Sequence, residues 1–179
     1  LDQNTTGTSN VALGAYALDA NTTANNNTAI GYVSLSENTI GYNNNALGAY
    51  ALDANTSGVT NNAFGTDSLG DNTTGGQNCA FGHQALADNT TADDNLAFGF
   101  RGLRLNTTGG RNVAVGTFAL YANTTADNNT AVGYTALGAN TTGTRNTAVG
   151  ANALDANTTG SHNVAVGAGA TLSANTSGV

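Results

Sequence analysis

The sequence predicts an all-β protein, a parallel β-solenoid (β-roll) of about ten 17-residue coils, and three observations lead there. Glycine recurs every 17 residues without insertion, at Gly14, Gly31, Gly48, Gly65, Gly82, Gly99, Gly116, Gly133, Gly150 and Gly167. Such a beat is one small unit stacked on copies of itself. A 17-residue coil is too short for a strand, a crossover helix and a second strand. Asn, Thr and Gly fill every repeat, and each disfavours a helix interior.

The elements follow in order around the glycine. Four residues before it stands Asn, from Asn10 to Asn163, and two before it stands Ala, from Ala12 to Ala165. Immediately before it comes a larger apolar residue: Leu13, Ile30, Leu47, Phe64, Phe81, Phe98, Val115, Val132, Val149 or Val166. This N-x-A-φ stretch predicts a short parallel strand, with the glycine at a corner because it accepts positive φ without steric cost. Four residues after the glycine stands Leu in nine consecutive repeats, Leu18 to Leu154, preceded by Ala, Ser or Gly. The x-A-L stretch predicts a second strand. Asn then arrives seven residues after the glycine, followed by Thr and usually a second Thr, and this N-T-T-G stretch predicts a second corner. In the last repeat Leu172 and Asn175 come one residue late, which predicts a local bulge. Stacked at the strand spacing, the coils make a rod roughly 50 Å long. Residues 1–179 form a single repeat array. It starts in the phase of the leucine column and stops partway through a repeat, so a segment of a longer fibre is expected.

Composition narrows the function. Charged residues make up 8% of the chain, with no Pro, Met or Trp, and the net charge is −7 with four Arg and no Lys. Binding nucleic acid needs a basic face, so no nucleic-acid partner is expected. There is no apolar run near the roughly 20 residues that span a bilayer, so no membrane insertion is expected in this segment. His83 and His162 occupy different columns, and Cys79 is alone. No nucleophile, base and orienting group converge. Asp93, Asp94 and Asp127 lack the pattern of calcium-binding rolls, and no G-x-G-x-x-G opens a helix. The expectation is no enzyme, no cofactor and no metal.

Alternation within the strands bears on assembly. Adjacent side chains point to opposite faces, yet Ala and the larger residue beside it are both apolar, and Ala beside Leu repeats the pattern. Parallel sheets are ordinarily buried on both faces. The partners expected are copies of the same chain, side by side with a trimer as first expectation, and end to end; the alternative is a monomeric roll whose sharp corners bring both columns inside.

The strings NVALG, NTAIG, NVAVG and NTAVG, each followed by x-x-A-L, resemble the S-V-A-I-G repeats in heads of YadA-type trimeric autotransporter adhesins. They resemble more closely the N-T-A-[IV]-G-Y-x-A-L-x-x-N-T-T-G arrays of bacterial and phage tail-fibre-like proteins. The resemblance covers the whole chain. It implies left-handed parallel rolls assembled as trimers, with a structural and adhesive role in an extracellular, cell-surface or virion fibre. The adhesin head repeat is shorter than 17 residues, so architecture carries over and a particular receptor does not.

Two sets of residues are candidates for chemistry. Asn4, Asn21, Asn55, Asn72, Asn89, Asn106, Asn123, Asn140, Asn157 and Asn175 each begin an N-x-[ST] acceptor sequence, as do Asn26 and Asn128 at another phase, while Ile40 spoils the one at Asn38. One reading is a line of glycans whose coat is the functional layer of the filament. The other is an Asn ladder at a corner, with Thr supplying β-propensity. The variable positions after the glycine offer Tyr32, His83, Phe100 and Tyr134 as a ligand face for sugars, a cell surface or another protein. Aligned threonines also raise ice binding. Alternation through N-T-T would put Asn with the second Thr on one side and a single Thr file on the other.

Overall fold

The computed structural model describes residues 1–171. Ten three-residue strands form one parallel sheet in chain order. They are β1 (Val11–Leu13), β2 (Thr28–Ile30), β3 (Asn45–Leu47), β4 (Asn62–Phe64), β5 (Cys79–Phe81), β6 (Leu96–Phe98), β7 (Val113–Val115), β8 (Thr130–Val132), β9 (Thr147–Val149) and β10 (Val164–Val166). Every strand pairs with the next in the same register, Ala12 opposite Ala29, Ala29 opposite Ala46, and so on to Ala148 opposite Ala165. The nine steps of this sheet span about 43 Å at ordinary strand spacing. Leu172 and Asn175, where the bulge was expected, lie outside the described residues.

Within the strands the alternation holds. The central Ala points inward and is buried from β2 to β10, while the residues on either side of it point outward. Opposing the Ala file inside the coil runs the Leu file, Leu18 to Leu154, and these two files with the Ala that precedes six of the nine Leu make one continuous core. Burying a Leu side chain contributes on the order of 1.5–3 kcal/mol, so each coil holds one large apolar anchor.

The x-A-L stretch is not a second strand. It is a pair of turns: the Ala17 N–H donates to the Gly14 carbonyl at 3.3 Å, and the Asn38 N–H to the Leu35 carbonyl at 3.4 Å. The Leu of each coil sits at φ 50–53°, so Ala and Leu, though adjacent, both face the interior. Strict alternation belongs to extended backbone, and a left-handed residue breaks it. The second outward apolar file expected from this stretch therefore does not exist. The residue two after each glycine is also left-handed, at φ 51–62°. Such a conformation costs an L-residue about 1–2 kcal/mol. Hydrogen bonds between coils offset it, since the ladder continues right round the turn. Leu18 N–H donates to the Ser34 carbonyl at 3.0 Å, Ala20 N–H to Ser36 at 2.9 Å and Val33 N–H to Ala15 at 2.9 Å.

The glycine that sets the beat has φ 130–144°, as its corner role requires. Close stacking excludes other residues as well, because a Cβ on Gly82 would lie 2.5 Å from the Gly99 carbonyl oxygen.

Candidate functional site

The Asn residues of the acceptor sequences are turned into the coil. Asn21, Asn55, Asn72, Asn89, Asn106, Asn123, Asn140 and Asn157 are buried, Asn4 in the first coil is half-buried, and Asn175 lies outside the described residues. From Asn21 to Asn157 each Nδ2 is already committed twice, while Asn4 Nδ2 donates once, to the Gly7 carbonyl. In Asn72 it donates to Asn55 Oδ1 at 2.9 Å and to the Gly75 carbonyl at 3.0 Å. Asn38, which lacks the acceptor sequence, sits in the same file with the same partners, Asn21 Oδ1 and the Gly41 carbonyl. The file is a ladder whose amides fill the interior, so a glycan on the buried Asn is incompatible with this packing. The acceptor residues Asn26 and Asn128 stand at the surface.

A second Asn file, four residues before the glycine, completes the arrangement. Asn44 Nδ2 reaches the Gly58 carbonyl at 2.8 Å, and its Oδ1 accepts the Asn61 backbone N–H at 2.9 Å. The Gly58 carbonyl also accepts from Asn55 at 3.1 Å, so one oxygen joins both files. The threonines fall differently from the expected split. Asn alone points inward, and both following residues lie at or near the surface. The first has its hydroxyl bound to the next coil, as in Thr56 to the Thr73 carbonyl at 3.1 Å.

Two outward surfaces remain. The first is the outer face of the sheet, where the residue before each glycine forms an apolar ridge along all ten strands. Five of its ten members are exposed, Leu13 at 66%, Leu47, Phe98 at 56%, Val149 and Val166 at 71%, and the other five are half-buried against their neighbours. Phe64 and Phe81 stack with centroids 4.6 Å apart, and Phe81 and Phe98 at 5.7 Å. The second is the corner after the glycine. Tyr32, His83, Phe100 and Tyr134 are all exposed there. Tyr32 joins Tyr16 and Tyr50 in edge contacts at 6.0 and 5.4 Å. His83 stacks on Phe100 at 5.6 Å, and Phe100 meets Phe118 edge-on at 5.4 Å. Alongside runs a polar ladder in which Gln84 Nε2 donates to Asp67 Oδ2 at 2.9 Å and Arg101 Nε donates to Gln84 Oε1 at 2.8 Å. Tyr134 lies farther along and enters neither aromatic cluster. The four residues therefore belong to one corner file but divide into separate groups.

Ionisable groups collect on the next turn. Burial pushes the Asp53 carboxyl up to about 6, with Asp67 and Asp71 adding to the effect against its own backbone hydrogen bonds. Burial also raises Asp88, opposed by Arg104 at 3.3 Å. Asp93 and Asp127 accept the Gly76 and Gly110 backbone N–H groups, each at 2.7 Å, which places them as caps on the ladder. His162 lies 3.3 Å from Arg145, remote in the stack from His83. Among the described residues no three His, Cys, Asp or Glu side chains gather to hold a metal ion, and no helix is long and apolar enough to cross a membrane.

Sequence reasoning did not single out the residues five after the glycine. In three successive coils these are Tyr121, Gly138 and Asp155, and they line a cleft of about 390 Å³ together with Phe118, Thr135 and Ala139. The column varies from coil to coil, and that irregularity in a strict repeat was its signal. No family model, curated protein or solved structure matches the chain.

Proposed function

We propose that this chain is a non-enzymatic structural module of an extracellular, cell-surface or virion fibre, and that its rods pack side by side through the outer face of the sheet. One observation carries the reading: the apolar ridge runs the length of the sheet, and in the single chain every member of it is exposed or half-buried. Exposed apolar patches beyond a few hundred Å² mark interaction surfaces. A parallel sheet is ordinarily covered on both faces, and an identical ridge on a second and third copy is a cover of matching pitch. The resemblance of the repeat to adhesin heads and tail-fibre arrays agrees with that assembly.

Sedimentation velocity of the chain at micromolar concentrations tests it. The wild type should sediment as an oligomer, a trimer by this reading. Phe81→Asp combined with Phe98→Asp should yield monomers with unchanged circular dichroism. A wild type that stays monomeric throughout, or a variant that assembles equally well, overturns the proposal.

An adhesive role is a second reading, favoured by the exposed aromatic corner of Tyr32, His83 and Phe100.

A further inference from the structure

We infer that the cleft over Gly138 is a binding subsite for a single neutral pyranose, stacked on Tyr121 and held through its hydroxyls by the Asp155 carboxylate. The site arises from a missing side chain. Tyr121, Gly138 and Asp155 occupy the same position in three consecutive coils, so the aromatic ring and the carboxylate flank an empty step. Their backbones stand about 9.6 Å apart, twice the strand spacing, which is room for one sugar ring between them. The cleft is a shallow groove open to solvent, of about 390 Å³, so it would seat a sugar ring on the surface and not bury it.

The lining suits a sugar. A pyranose has an apolar C–H face and a rim of hydroxyl donors. Tyr121, buttressed edge-on by Phe118 with centroids 5.5 Å apart, supplies a fixed aromatic wall. Asp155 supplies an acceptor whose charge strengthens each hydroxyl hydrogen bond. The Thr135 hydroxyl donates to Asn152 Oδ1, so toward a sugar it offers only an acceptor oxygen, a neutral one beside the charged Asp155 carboxylate. Anionic ligands are disfavoured by that carboxylate and by the net charge of −7. The corner cleft and the sheet face are separate surfaces, so this inference does not rest on lateral packing.

The test is saturation-transfer NMR of the full chain with the methyl pyranosides of glucose, galactose, mannose and N-acetylglucosamine, and with tetramethylammonium as a cationic probe. Tyrosine fluorescence gives affinities, since the chain has no Trp. At least one sugar should receive saturation at its ring protons. Tyr121→Ala and Gly138→Ser should each weaken it about tenfold or more, a loss of about 1.4 kcal/mol, and Asp155→Asn should weaken it less. Gly138→Ser is the decisive variant: Ser36 and Ala87 already occupy this column, and the added Cβ would stand 3.0 Å from the Thr135 carbonyl oxygen, so its circular dichroism is compared with that of the wild type. The inference falls if no sugar is saturated, if Gly138→Ser binds like the wild type while retaining its circular dichroism, or if tetramethylammonium binds more tightly than every sugar.

Discussion

Replacing Asn89 by Ala tests whether the interior Asn ladder holds the coils together. Asn89 makes three side-chain hydrogen bonds: its Nδ2 donates to Asn72 Oδ1 at 2.9 Å and to the Ala92 carbonyl at 3.2 Å, and its Oδ1 accepts from Asn106 Nδ2 at 3.0 Å. Their loss is unevenly felt. The Ala92 carbonyl keeps Asn78 at 2.8 Å, and Asn106 keeps the Gly109 carbonyl at 2.9 Å. Asn72 Oδ1 loses its donor, and one Asn106 N–H is left without an acceptor. Two stranded buried groups at about 1–3 kcal/mol each predict a loss of about 2–6 kcal/mol. Guanidinium unfolding followed by far-ultraviolet circular dichroism measures it. Asn89→Asp should be as damaging at neutral pH, since it turns oxygen lone pairs toward Asn72 Oδ1 and the Ala92 carbonyl. Part of its stability should return in acid, because a protonated carboxyl donates one hydrogen bond. In the pair Asn72→Ala with Asn89→Ala, the acceptor that the second change strands is already gone. The double variant should therefore cost about 1–2 kcal/mol less than the sum. A loss below about 0.5 kcal/mol for Asn89→Ala, or strict additivity of the pair, would refute the ladder as a source of stability.

Three further outcomes follow. Gly82→Ala puts a Cβ 2.5 Å from the Gly99 carbonyl oxygen at φ 137°, and should cost about 3 kcal/mol or more in the same denaturation assay. Val33 is β-branched at φ 59°, so Val33→Asn should stabilise by about 1 kcal/mol and raise the melting temperature. Asp53, raised to about 6, favours its protonated form in the folded chain. Its contribution is therefore full below the unfolded carboxylate value and is lost as pH rises through about 6. Discounted for partial solvent screening, this amounts to about 1–1.5 kcal/mol. Melts between pH 4 and 8 should show that slope flattened in Asp53→Asn.

Much of the fold could be read from residue types. The glycine column announced both the period and the corner, and the Ala and larger apolar columns separated inside from outside within each strand. The Leu column misled because a branched L-residue carries no mark of left-handed backbone. Leu18 and Leu35 take φ near 50° because bonds to the adjoining coil pin the turn, and those bonds lie 17 residues away in sequence. The Asn-Thr pattern satisfied two chemistries at once, glycan acceptor and stacked amide, and Asn72 is decided by burial and by its two occupied amide hydrogens. The corner aromatics were visible at Tyr32 and Phe100. The notch at Gly138 was not, since it depends on what stands in the coils before and after it.

The identical register of every strand pair has a consequence at the level of the gene. Each coil touches its neighbours through the same backbone ladder and the same Ala, Leu and Asn files, so a recombination event that excises or duplicates one repeat in phase rejoins surfaces that already match. Joining the residue before Gly82 to Gly99, for instance, shortens the rod by one coil and recreates the same interface. Copy number, and with it reach, can drift between descendants of one gene while the structure of every remaining coil stays unchanged.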